Sequence, residues 1–325
     1  MQTRSIRRTL GLTTAGLLLA AAHLSTARAE ETTVQMTVTS SSAVFWVNWL
    51  AETGTFYKDE GLVSEIVMVT DVAQQVQQVI AGATDIAYTT CEAAVRGIDK
   101  GAPVSIIGVT MQRYPYSVWG KDVANAADLT GKTVMMSGVS DVMGVVFNRW
   151  LTEQGVKPSD VDLRFDVATS NRFAGLMSGA ASAAMLTPPF DFRAEGEGMT
   201  MVFDFAPYLG DYPLVCAIAR KDWLAANGDT ATAQLRVVRN ATAFFYDPAN
   251  RDAVVQRLME MTKSEQPLAE RTYDYYFDTL VTPFVKDLSA PEGGLQKMID
   301  ALLVDNQIQP GSKAEQFLDM SFLPK

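Results

Sequence analysis

Apolar and polar positions alternate from Val34 to Thr39, the period of a half-buried strand, and Ser40-Ser41-Ser42 then supplies helix-start chemistry for a helix reaching about Thr53. Gly54 and the run Phe56 to Leu62 read as a glycine-capped helix end and a short turn into the strand Ile66 to Val69. A helix over Ala73 to Ile80 follows, then Gly82, then the strand Asp85 to Tyr88, the helix Cys91 to Lys100 and the strand Val104 to Val109. Alternation of this kind predicts a doubly wound, mostly parallel α/β sheet.

The pattern then begins again. Asp128-Leu129-Thr130-Gly131-Lys132 leads into the strand Thr133 to Met136, a helix from near Ser140 to Gly155, the strand Val161 to Phe165, the helix Asn171 to Ser178 and the strand Ala183 to Leu186, which Pro188-Pro189 stops. Tyr212 to Arg220 reads as a strand returning to the first unit. Helices are expected over Thr230 to Tyr246, Ala249 to Thr262, Pro267 to Thr279 and Glu292 to Asn306, before an apolar tail from Phe317 to Leu323 that packs back. Two sheet-based units joined by crossing strands near Tyr116 to Lys121 and Tyr212 to Arg220 leave a cleft between them, and hinge closure over a ligand is the motion such a geometry allows.

This ordered series resembles the solute-binding proteins of bacterial ABC importers in the nitrate, sulfonate, taurine and thiamin-pyrimidine (NMT1/THI5-like) group. There a phrase like "GFFKKEGLDVEL" precedes "SGQVDIA", as Gly54 to Leu62 precedes Ile80 to Ala87 here, and the phrases "dLkGKkvav" and "sGkvDAa…P" match Asp128 to Val134 and Ser178 to Pro189. The chain departs from the pattern at Ser182, where an acid usually precedes the alanine strand. The resemblance implies a two-lobed periplasmic-binding-protein type II fold with extra C-terminal helices on the first lobe. Its expected organisation is a signal peptide over 1–29, lobe 1 over 30–118, lobe 2 over 119–211, and a return to lobe 1 over 212–325.

The N-terminus carries Arg4, Arg7 and Arg8, an apolar run from Leu10 to Ala22, and Ala27-Arg28-Ala29, the form of a secretory signal peptide. A periplasmic location by the general secretory route is expected, because the residues after Arg7-Arg8 match a twin-arginine signal poorly. Cleavage after residue 29 removes four arginines and no acid, so the formal net charge moves from −10 to −14. Such an acidic chain argues against nucleic acid and anionic membrane as partners. His23, the one histidine, leaves with the leader. That removes Ser-His and Cys-His nucleophile pairs and histidine metal sites, so neither an enzyme, a metal nor another cofactor is expected. For Cys91 and Cys216, two buried thiols are the default expectation and a disulfide in an oxidising compartment the alternative.

Ligands of open α/β sheets bind at loops beyond the carboxyl ends of the strands. Four loops qualify: Ser40-Ser41-Ser42 with Phe45 and Trp46, Thr89-Thr90-Cys91, Ser137-Gly138-Val139-Ser140-Asp141, and Thr187-Pro188-Pro189-Phe190. These coincide with the loops that hold ligand in the resembling family. The candidate ligand-binding residues are Ser41, Ser42, Phe45, Trp46, Thr89, Thr90, Ser137, Val139, Ser140, Asp141, Thr187 and Phe190, with Arg113 near the hinge as a clamp for a carboxylate or sulfonate. Short hydroxyl side chains let a ligand oxygen reach the unpaired N–H groups of a helix start, although the same residues also serve as plain N-caps. Tyr88, Tyr114 and Tyr116 are further candidates for stacking on a flat ligand. Micromolar binding needs about −8 kcal/mol, and each hydrogen bond to a charged group supplies roughly 1.5–3, so buried apolar area must contribute too. Asp141, if it faces the cleft, repels an anion and prefers a ring N–H or an amine.

The function expected from the resemblance is capture of a small polar organic ligand (a sulfonate, an aromatic or organic acid, or a pyrimidine-like ring) by a monomer that delivers it to an ABC permease. A periplasmic sensor for a signalling receptor is the alternative. A pyrimidine-synthase-like enzyme is disfavoured, because that family relies on histidine and a cysteine-rich motif, and Gly138 to Val142 only half matches a serine nucleophile elbow.

Overall fold

The computed structural model describes residues 31–69, 71–138, 141–291 and 293–325. The expected signal peptide lies outside the described residues, and among these no helix is long and apolar enough to cross a membrane.

Two five-stranded sheets organise the chain. The first contains β1 (Thr32–Val38), β2 (Leu62–Met68), β3 (Ile86–Thr90), β4 (Val104–Met111) and β10 (Val215–Arg220), in the order β2-β1-β3-β10-β4. The second contains β5 (Ser117–Gly120), β6 (Thr133–Met136), β7 (Asp162–Phe165), β8 (Ala183–Leu186) and β9 (Thr200–Asp204), in the order β7-β6-β8-β5-β9. In each, four strands point one way and a single antiparallel strand sits fourth: β10 runs against β3 and β4, and β5 against β8 and β9. Those two are the strands by which the chain enters each sheet after crossing from the other. The crossings occupy 112–116 and 205–214, stitched together where Phe205 N donates to Tyr116 O (3.1 Å) and Leu214 N to Met111 O (2.8 Å).

Helices cover both sheets. Those beside the first sheet's early strands are α1 (Trp46–Ala51), α2 (Phe56–Asp59), α3 (Val72–Ala81) and α4 (Cys91–Asp99). The second sheet carries α5 (Val142–Glu153), α6 (Thr169–Met177) and α7 (Phe190–Gly196), with α8 (Ala206–Leu209) in the return crossing. The C-terminal part forms α9 (Lys221–Ala226), α10 (Gly228–Tyr246), α11 (Arg251–Thr262), α12 (Gln266–Asp274) and α13 (Gly294–Val304). Helix α10 packs on α1, so the C-terminal helices belong to the first sheet's layer. Gly82 ends α3 in the left-handed conformation (φ 73°), as its place after an apolar helix predicts. The tail returns as expected: Ile106 N donates to Phe317 O (2.9 Å), and Phe317 is buried.

The strands Thr133–Met136 and Ala183–Leu186 stand where the sequence pattern puts them. Three readings change. The strand expected at Ile66 begins four residues earlier, at Leu62, directly after Gly61. Strand β9 and helix α7 escape the pattern altogether, since β9 is an edge strand with only Phe203 buried and α7 follows the prolines read as a stop. The cysteines, expected as separate thiols, are joined: Cys91 at the start of α4 is bonded to Cys216 on β10, with Cα atoms 4.9 Å apart.

That bond ties β3 and α4 to the crossing strand over a separation of 125 residues. Closing so long a loop restricts the unfolded chain, with a typical effect of about 2–5 kcal/mol. The double substitution Cys91→Ser with Cys216→Ser is expected to lower the guanidinium unfolding free energy by that amount under oxidising conditions. A reducing agent should do the same to the parent chain and nothing to the variant.

Candidate functional site

Between the two sheets, at the carboxyl ends of their strands, lies a cavity of about 170 Å³. A single water needs about 10–15 Å³ on this measure, so the space suits a small organic molecule. The first sheet contributes Thr39 and Ser40 after β1 and Thr90 at the end of β3; the second contributes Ser137 and Asp141 after β6 and Thr169 at the start of α6. Val44, Phe45, Val72, Met143, Leu214 and Val215 make the rest of the wall largely apolar, and Tyr116 closes it at the crossing. An adjoining cavity of about 160 Å³ shares Thr39, Ser40 and Thr169 and is bounded further by Ser41, Ser42 and Phe190.

The candidates thus divide. Phe45, Thr90, Ser137 and Asp141 border the main cavity and Ser41, Ser42 and Phe190 the adjoining one. Val139 and Ser140 lie outside the described residues. Thr89 and Thr187 are fully buried and border neither space. Trp46 is a core residue: its Nε1 donates to Val254 O (3.1 Å), and its ring meets Phe245, Tyr273 and Tyr276 edge-on at centroid distances of 5.2, 6.3 and 5.7 Å. Arg113 also borders neither cavity and pairs with Asp211 (2.7 Å), a half-exposed ion pair of small energetic value. Of the further aromatics, Tyr88 is buried with its hydroxyl accepting from Gln234 Nε2 (3.0 Å), Tyr114 donates to Pro213 O (3.3 Å), and Tyr116 alone faces the cavity.

Asp141 shows why its loop is shaped as it is. Its side chain caps α5, accepting from Gly144 N (2.8 Å) on Oδ1 and from the Ser137 hydroxyl on Oδ2. Capping and cavity wall are one arrangement here. The α6 start is fixed from behind by Arg172, a fully buried guanidinium that donates to Met185 O (2.6 Å), Asp166 O (2.6 Å), Val167 O (2.9 Å) and Thr169 Oγ1 (2.9 Å). Burial lowers its proton affinity, while bonds to carbonyls hold it in place.

The sequence reading missed Glu92. It stands in the first turn of α4, 2% exposed, yet it accepts the backbone N–H of Val142, the first residue of α5, at 3.0 and 3.1 Å. One sheet's layer therefore caps the other's helix across the cleft. Arg96, which also borders the cavity, approaches Glu92 Oε2 (3.8 Å) and donates to Gln307 Oε1 (3.0 Å). Burial pushes the Glu92 carboxyl up to about 8, the charge of Asp141 adds to the rise, and Arg96 and the Val142 N–H oppose it. Asp141 is raised as well, chiefly by burial, against the bonds from Ser137 and Gly144. An acid in a helix's first turn ordinarily reads as a dipole partner, which is why sequence alone does not single Glu92 out. Among the described residues no group of three or more His, Cys, Asp or Glu is arranged to hold a metal ion.

Two predictions follow from burial. Because the folded chain holds the Glu92 proton more tightly than the unfolded chain, its contribution to stability falls as pH rises from about 4.5 to about 8. Glu92→Gln should melt close to the parent at pH 5 and above it at pH 8, read by thermal unfolding across that range. Trp46→Ala should cost about 3–5 kcal/mol of unfolding free energy, as for other large core rings.

In sequence the chain is similar to YtlA of Bacillus subtilis (strain 168), with 21% identity over 276 residues, 82% of this chain and 83% of YtlA. In structure it is similar to the periplasmic aliphatic sulphonate binding protein SsuA from Escherichia coli, with 16% identity and a TM-score of 0.67 over 88% of this chain and 92% of that one. It is likewise similar to the periplasmic nitrate-binding protein NrtA from Synechocystis PCC 6803, with 16% identity and a TM-score of 0.72 over 88% and 84% of the two chains. At such identities the likeness speaks for the fold, the two-lobed periplasmic-binding-protein type. Residues 44–250 match the NMT1/THI5-like family, and the chain belongs to it.

Proposed function

We propose that this chain is an extracytoplasmic solute-binding protein that captures a small polar organic ligand between its two sheets and delivers it to an ABC permease. The observation that carries this reading is the cavity at the carboxyl ends of both sheets, bordered by hydroxyl residues from each and by apolar walls. Its position follows the rule for open α/β sheets, and its lining joins a few polar groups to a mostly apolar surface, the composition of a small-molecule site. Two crossings and a cleft between them supply a hinge, so that ligand contacts made to both halves favour a closed arrangement by their differential affinity. SsuA and NrtA, which share the fold, are periplasmic binding proteins by description, and this supports an extracytoplasmic site of action. A binding protein performs no chemistry on its cargo, in keeping with the absence of histidine after residue 23.

Ligand that binds only the folded chain raises its melting temperature by mass action. Screening the chain from residue 30 onward against small polar organic compounds should therefore find at least one that raises the midpoint, by several degrees at a hundredfold excess over Kd. Ser40→Phe, placed where both cavities meet, should abolish that shift while leaving the ligand-free midpoint within about 2 °C of the parent. An equal shift in the variant contradicts the assigned cleft.

A further inference from the structure

We propose that closing the cleft takes up protons: outside the cavity the two halves meet at two seams, each burying a carboxyl group from one half, Glu92 in the first and Asp191 in the second. Acid then favours the closed arrangement and alkali the open one. The inference rests on the solute-receptor reading above, in which closure is the step that captures ligand.

The first seam is the contact of Glu92 on α4 with Val142 N at the start of α5. The second lies between α7, in the second sheet's half, and α12, which packs on α11 as α11 does on α1. A π turn, Tyr275–Thr279, extends α12. Phe192 on α7 carries this contact: the Arg271 guanidinium lies over its ring, 3.9 Å from the centroid, and the ring meets Tyr275 edge-on at 5.7 Å. Arg271 also pairs with Glu195 (2.5 Å), a half-exposed ion pair of small value by itself. Asp191, next to Phe192, is 5% exposed, and its Oδ1 accepts from Phe192 N (2.7 Å) within its own helix.

A carboxyl group shut away from water favours its neutral form. Burial pushes Asp191 up to about 8; the Phe192 N–H and Arg271 of α12 oppose the rise, and Glu195 adds to it. Tyr275 and Tyr276 of the π turn lie within electrostatic reach of Asp191, and burial keeps their own hydroxyls neutral. Glu92 is pushed up to about 8 likewise, with Asp141 of the α5 cap adding to the rise and Arg96, the Val142 N–H and Tyr212 opposing it. Tyr114 stands near Glu92 with its hydroxyl also held neutral by burial. Separating the halves returns water to both seams, and each group reverts towards the ordinary carboxyl value of about 4. Between about pH 4 and about 8 the closed form therefore binds more protons than the open one, and closure weakens as pH rises through that window. Each proton taken up changes the closed-to-open ratio by up to about tenfold per pH unit.

The test measures closure without a ligand, by pulsed electron paramagnetic resonance on the chain from residue 30 onward. Nitroxide labels go on Val67→Cys and Phe165→Cys, with the Cys91–Cys216 bond left intact. Both positions are exposed on the edge strands β2 and β7, and their near neighbours Met68 and Ala168 border the adjoining cavity from the two halves. The long-distance fraction is expected to rise at least tenfold between pH 6 and pH 8.5, with near-ultraviolet circular dichroism unchanged. Asp191→Asn and Glu92→Gln mimic the protonated groups; each alone should flatten that rise by about half, and the two together should remove it. A parent distance distribution that ignores pH overturns the proposal, as does loss of the circular dichroism signal alongside the rise, which marks unfolding rather than opening. A response that survives in the double variant overturns the assignment to these two carboxyls. All three outcomes leave the receptor reading standing, since that reading falls only with the ligand screen.

Discussion

Each sheet is completed by an antiparallel strand that the chain supplies only after crossing from the other sheet, and the rest of the molecule depends on that exchange. Strand β5 sits between β8 and β9, and β10 between β3 and β4, so neither sheet closes without a segment that passes through the hinge. Two chain connections link the halves, and Glu92 of α4, bonded to Val142 N of α5, adds a contact between them. Carboxyl ends of both sheets are thereby held facing one another, and a space results that neither half forms alone. The disulfide from Cys91 to Cys216 pins the α4 start to the crossing strand, so Thr90 and Glu92 inherit a fixed position relative to the hinge.

Across that space the chain places a buried carboxyl group. Glu92 reaches from α4 to the first N–H of α5, where desolvation opposes its charge and the helix start favours it. Removing water from such a group is costly, so the bond is weak evidence for stability by itself. It acts instead as a register mark between the halves, holding the α5 start, and with it Ser137 and Asp141, at one side of the cavity. Arg172 fixes the α6 start from within the second sheet's own half.

Much of the fold was legible because short apolar strands and glycine-ended helices leave local signatures, as at Thr133–Met136, Ala183–Leu186 and Gly82. Edge strand β9 left almost none, having one buried side chain in five. The site was legible at the level of loops: hydroxyl and glycine residues at helix starts mark where cavities open in an α/β sheet. Which side chains turn towards the opening was not, since that depends on partners far away in the chain. Trp46 faces Phe245, Tyr273 and Tyr276, some 200 residues on, while its neighbour Phe45 faces the cleft. Glu92 was hidden for the same reason, because its partner belongs to the other sheet's layer. For Asp141 the choice between cap and cavity wall was a false one, as a single geometry serves both.

The central claim is that the space between the sheets seats a guest molecule. A crystal structure of the chain with the tightest-binding compound tests it most directly. The account predicts that compound enclosed between the halves, with a polar atom at hydrogen-bonding distance from Asp141 and its apolar part against Phe45. A compound bound on any other surface, with the inter-sheet space collapsed or filled by the protein's own side chains, contradicts it.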